Sequence, residues 1–186
     1  MIAFTRQATW DLLCLHTKTD GLRTHALAVE AAMRHYAQHF GEDVEHWGRV
    51  GLIHDFDYEQ HPSAEEHPYV GAEILRKHDW PESDVECILS HAEYTGVPRT
   101  TRMAHTLFAV DELCGFITAV ALVRPSRKVA DVELKSVKKK MKQKAFAAQV
   151  SRDDIRQGAL GLGLTLEEHI GHVLVAMQGS ARALGL

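Results

Sequence analysis

Apolar positions recur with a period near 3.6 along most of the chain, and period-two alternation is absent, so the pattern predicts helices and no strands. A first helix is expected over about residues 5–16. A second follows over about 21–39, capped by Thr19 or Asp20, with Leu22, Ala26, Val29, Ala32, Met33 and Tyr36 on its apolar face and Gly41 ending it. A third spans about 43–56. Pro68 sits at the first turn of a fourth helix and Pro81 opens a fifth. A long sixth covers about 103–123 and stops at Pro125. After a connector at 129–133, a lysine-rich helix is expected over about 134–148. Ser151 or Asp154 starts another helix, and Thr165 with Glu168 forms a capping box for the last. There is no repeat or low-complexity linker. The expectation is one all-α domain over residues 1–186, a helical bundle of about seven to nine helices.

Composition narrows the class. The chain has 186 residues, 45% of them hydrophobic and 25% charged, which suits one globular domain with a sizeable core. A net charge of -4 forces neither a nucleic-acid nor a membrane partner. Cys14, Cys87 and Cys114 are far apart and lie in apolar helical contexts. They read as small hydrophobes, neither a disulfide framework nor a zinc site. The opening MIAFTRQATW lacks the apolar run of a secretory signal. The longest apolar stretch, 107–123, carries Asp111 and Glu112, which argues against a membrane span. A cytoplasmic location is the expectation.

The 13 histidines change the picture only through their positions. His25, His54, His91 and Asp111 each fall on a predicted apolar face. A buried ionised carboxylate is costly unless it is paired or holds a metal, and no lysine or arginine shares those faces near Asp55 or Asp111. A divalent cation would satisfy imidazoles and carboxylates together. Nitrogen and oxygen donors suit iron, manganese, zinc, nickel or cobalt better than magnesium or calcium. His16, His35, His39, His46, His61, His78, His105, His169 and His172 read as hydrogen-bonded core or surface residues, several placed to complement a helix C-terminus.

The ordered series His25, then His54-Asp55, then Asp111 resembles the signature of the HD-domain superfamily. The wording around it is similar too: Leu22-Arg23-Thr24-His25, Gly51-Leu52-Ile53-His54-Asp55, the run from His67 to Leu75 that is similar to the HDIG-type branch, and Ser90-His91-Ala92-Glu93. The likeness covers about residues 20–125 and leaves about 126–186 as a C-terminal helical extension. It implies a metal site of His25, His54, Asp55, His67, His91 and Asp111, with His54 and Asp55 at the catalytic centre. One divalent transition metal would sit among His25, His54, Asp55 and Asp111. Asp55 could bridge to a second, held by His67 and His91. Gly71, one turn beyond His67, could let its helix pack closely.

The activity so implied is metal-dependent phosphohydrolysis of a small phosphorylated substrate, a nucleotide among the candidates; a membrane or nucleic-acid partner is not expected. The basic run 135–144 suggests anion binding, with Lys138 and Lys139 singled out for the substrate, although most of these lysines read as a solvated face. Phe56-Asp57-Tyr58 follows the doublet where the HDIG wording has Ile-Gly, often with a lysine, so no catalytic lysine lies there. Ala92 and Gly96-Val97-Pro98 depart from the branches that degrade cyclic dinucleotides. Asp57, Tyr58 and Glu93 stay open between supporting groups and surface residues. Two other readings are carried: a mixed-valent di-iron oxygenase with the same six residues, and a nucleotide-binding module without turnover.

Overall fold

A computed structural model describes residues 5–186; the first four residues of the stretch read against a secretory signal lie outside them. Among the described residues there are ten α-helices and no strand. They are α1 (Arg6–His16), α2 (Asp20–Phe40), α3 (Val44–Ile53), α4 (Tyr69–Lys77), α5 (Glu82–Leu89), α6 (Arg102–Leu122), α7 (Leu134–Met141), α8 (Arg152–Gly161), α9 (Leu166–Gly179) and α10 (Ala181–Leu184). All nine predicted helices are present, and α10 is a single turn after Ser180.

Side-chain caps set most of the starts. Thr5, Asp43, Thr101 and Ser151 each accept a hydrogen bond from a backbone N–H of the first turn they cap. The Thr165–Glu168 capping box forms in both directions. Gly41 ends α2 in the left-handed region at φ 73°, where a residue without Cβ carries no steric penalty.

Two helices end earlier than the periodicity suggests. Beyond Ile53 the ladder of α3 tightens into a turn, with the Phe56 N–H donating to the Ile53 carbonyl at 3.2 Å. Residues 54–60 are therefore turns, and the His-Asp pair stands at a helix end instead of inside one. In the lysine-rich segment α7 stops at Met141, and beyond it Phe146 packs edge-on against Phe116, with ring centroids 5.5 Å apart.

α6 is buried on more than one side, through residues such as Leu107, Val110, Leu113, Phe116 and Ile117, which marks it as the central helix. By length and composition it could cross a membrane; here it packs among α2, α8 and α9. α2 lies between α3, α6 and α9. α8 reaches α6 at unusually close range. A Cβ added at Gly158 would lie 2.5 Å from the Ala109 Cα, so only glycine permits that approach. Cys87 and Cys114 are buried free thiols and Cys14 is half-buried.

Candidate metal centre

The five segments carrying the doublet, the lone histidines and the distant aspartate converge on one cavity. His25 comes from α2, His54 from the C-cap of α3, and Asp55 from the turn after it. His67 precedes α4, His91 follows α5, and Asp111 lies midway along α6. Four imidazoles stand in a row, His25–His54–His91–His67, with successive ring centroids 5.3, 5.3 and 5.4 Å apart.

Asp55 lies at the centre of this row, and its two oxygens serve different histidines. Oδ2 is 3.5 Å from His54 Nε2 and 3.8 Å from His25 Nε2. Oδ1 is 3.2 Å from His91 Nε2 and 3.3 Å from His67 Nε2. Asp111 Oδ1 lies 2.9 Å from His25 Nε2 and 3.4 Å from His54 Nε2. Donor atoms thus gather into two groups, His25, His54, Asp55 and Asp111 on one side and Asp55, His67 and His91 on the other, each within 4.8 Å.

Local hydrogen bonds fix the tautomers. The Nδ1–H of His54 donates to the Gly51 carbonyl at 2.8 Å, and that of His91 donates to the Ile88 carbonyl. His67 donates from Nδ1 to Asp57 Oδ1 at 2.9 Å. With Nδ1 engaged, each neutral ring turns the Nε2 lone pair toward Asp55, the arrangement in which an outer partner orients a metal-binding histidine. His54 is fully buried, and its Nε2 has no hydrogen-bond partner; Asp55 Oδ1 likewise has none of proper geometry. Lone pairs facing lone pairs in a buried place call for a cation between them. The donor set therefore fits a divalent transition metal.

The electrostatics agree. Burial works against the charged form of His54, yet Asp55 and Asp111 outweigh it and raise its pKa. Burial also opposes the His67 cation, but Asp55 and Asp57 lift that pKa to about 9. Asp55 and Asp111 are held well below the usual carboxylate range despite burial, by their histidines. The pocket favours positive charge in the space between these groups.

Asp57, which sequence reasoning left open, is fully buried as the anchor of His67. Its second oxygen accepts the Gly71 N–H at 2.8 Å. A Cβ at Gly71 would sit 2.7 Å from the Asp57 carboxyl carbon, so the close packing expected there is an approach to this carboxylate. Tyr94 donates its hydroxyl to the His67 carbonyl, and the Tyr58 ring stands edge-on to His67 at 5.2 Å.

The cavity holds about 420 Å³ and takes in His25, Asp55, His67, His91 and Asp111. Its outer wall includes Glu112 and Asp154, neither of which sequence reasoning singled out as site residues. Burial, then the neighbouring Asp111 and Asp154 charges, push the Glu112 carboxyl up to about 7. Lys138 and Lys139 do not line this cavity. They line a separate surface cleft with Leu134, Lys135 and Lys142, and Lys138 is ion-paired with Glu167. The solvated-face reading of the lysine run fits that placement, and the substrate role expected of the two has no support from it.

A family model described as the HD domain matches residues 22–114, a span that holds all six site residues. No curated protein and no solved structure matches the chain.

Proposed function

The chain belongs to the HD-domain family, and on that premise we propose that it is a metal-dependent phosphohydrolase acting on a small phosphate ester. The observation that carries the reading is the division of Asp55 between two donor groups, one oxygen to each. In this reading His25, His54, Asp55 and Asp111 would hold one divalent cation, and Asp55, His67 and His91 a second. Such a pair, when bound, activates water at neutral pH and neutralises the charge of a phosphoryl group under in-line attack.

The protein's own contribution is placement. Gly51, Ile88 and Asp57 keep three imidazoles in one tautomer, so that no ring has to turn when a cation arrives. The buried floor around His54 limits water to the open side of the cavity. Both donor groups consist of side chains on or flanking rigid helices, which favours a fixed spacing.

The test is metal content per chain, measured on protein purified under anaerobic conditions, followed by phosphate release from a panel of monoesters. Two metals per chain and turnover that Asp55→Ala reduces to background are the expected results. Iron at both positions with oxygen uptake and no phosphate release would replace this reading with the oxygenase one. Absence of metal, even after reconstitution, would leave the binding-module reading.

A further inference from the structure

The cavity is notable for the charge it does not provide. No lysine or arginine is among its lining residues. Besides Asp55 and Asp111, its wall carries three more carboxylates: Glu93 from the turn after His91, Glu112 from α6 and Asp154 from α8. Arg99, the ion-pair partner of Glu93, is committed elsewhere. Its guanidinium donates to the Ser90 carbonyl, pairs with Glu93 at 3.1 Å, and lies 3.8 Å from the centroid of the Phe108 ring.

The three outer carboxylates are not a further metal site. Among the described residues, none of them joins a group of donor atoms close enough to share an ion. Tyr58, Tyr94 and Phe108 line the same cavity, and since Arg99 already covers the Phe108 ring, the two tyrosines are the rings left to a ligand. Carboxylates beside aromatic faces form the environment that stabilises an organic ammonium group, through ion pairing and attraction to the ring faces. The same wall repels a second phosphate or a carboxylate on a substrate.

We propose that the substrate is zwitterionic: its phosphoryl group points to the histidine floor, and a protonated amine on its other end is held by Asp154 and Glu112. This rests on the phosphohydrolase reading for the orientation of the phosphoryl end. It replaces a nucleotide as the favoured substrate, because beyond the metal centre a polyphosphate would meet Glu112 and Asp154 with no lysine or arginine among the lining residues. Of the two amine partners, Glu112 lies inside the matched family span and Asp154 outside it, so the C-terminal extension contributes one of the two.

The probes are three phosphonates of matched length that cannot be hydrolysed: 3-aminopropylphosphonate, butylphosphonate and 4-phosphonobutyrate. Calorimetric titration into the metal-loaded protein should rank them in that order, with the amine at least tenfold tighter than butylphosphonate. Asp154→Asn should bring the first two within about threefold of one another, and Asp154→Glu should restore the gap. Circular dichroism confirms that each variant is folded. Equal affinity for the three, or tighter binding of 4-phosphonobutyrate, overturns the inference. Hydrolysis of phosphate esters without an amine preference leaves the phosphohydrolase reading in place and removes this one. An amine preference without hydrolysis of any ester upholds this one and removes the other.

Discussion

The molecule contains two clusters of four histidines, and they are built for opposite purposes. His25, His54, His67 and His91 surround Asp55 and Asp111, and their Nε2 atoms point at carboxylate oxygens. His35, His39, His169 and His172 stack between α2 and α9, where they face one another, Tyr36 and a backbone carbonyl. In the first cluster the carboxylates raise the pKa of His54, His67 and His91. In the second, burial and neighbouring imidazoles lower the pKa of His35 and His172, and burial takes His169 down to about 4. The comparison teaches that a group of histidines has no fixed chemistry. The carboxylates placed among them decide whether the space between the rings invites a cation or excludes one.

The largest test of that contrast is acid. His169 is fully buried and neutral: its Nδ1 accepts the Tyr36 hydroxyl proton at 2.7 Å, and its Nε2–H donates to the Ala109 carbonyl at 2.8 Å. Its folded-state pKa of about 4 lies below the ordinary value of 6.5, so between these pH values the unfolded chain binds more protons than the folded one. Stability is therefore intact above about pH 6.5 and falls as pH drops toward 4. His169 contributes up to about 3 kcal/mol to that loss. Urea unfolding midpoints across this range should show the slope, and His169→Gln should flatten it while lowering the midpoint at pH 7. A slope unchanged in the variant would assign it to other groups.

A smaller effect is expected from Asp57→Asn. It keeps the shape beside Gly71 but weakens the acceptor that orients His67. Metal affinity should fall by roughly 10–100-fold, the usual cost of losing an outer partner of a histidine ligand. Competition with a chromogenic chelator reads this directly, and unchanged affinity would deny His67 a place in the centre. The smallest effect is expected from His35→Gln, which breaks the 3.0 Å contact with His172. It should change stability by less than about 1 kcal/mol and leave metal content untouched. A drop in bound metal would show that the second cluster also takes up ions.

Much of the first cluster was legible in the sequence, because its residues sit in short ordered segments. His25, His54, His91 and Asp111 each fall on a predicted apolar face, Asp55 adjoins His54, and the order of the segments resembles one family. The role of Asp57 was not legible. It depends on the chain leaving the helix after Ile53 and turning so that the side chain meets both His67 and the Gly71 N–H, which helical periodicity cannot express. Asp154 was hidden for another reason. Its place at the cavity follows from α8 packing on α6, a contact between residues far apart in the chain. The lysine run illustrates the converse. Its density suggested an anion site, while Val137 and Met141 face the core and turn the charged face of α7 outward.

The close seat of Gly158 on Ala109 has an evolutionary consequence. Asp154 lies one turn before Gly158 on the same helix, so a single glycine contact sets how far this carboxylate reaches over the cavity. The residues that would hold metal all precede residue 126, whereas Asp154, one of the two that would select substrate, follows it. A lineage could exchange the helices after residue 126 and inherit a new substrate without rebuilding the centre beneath it.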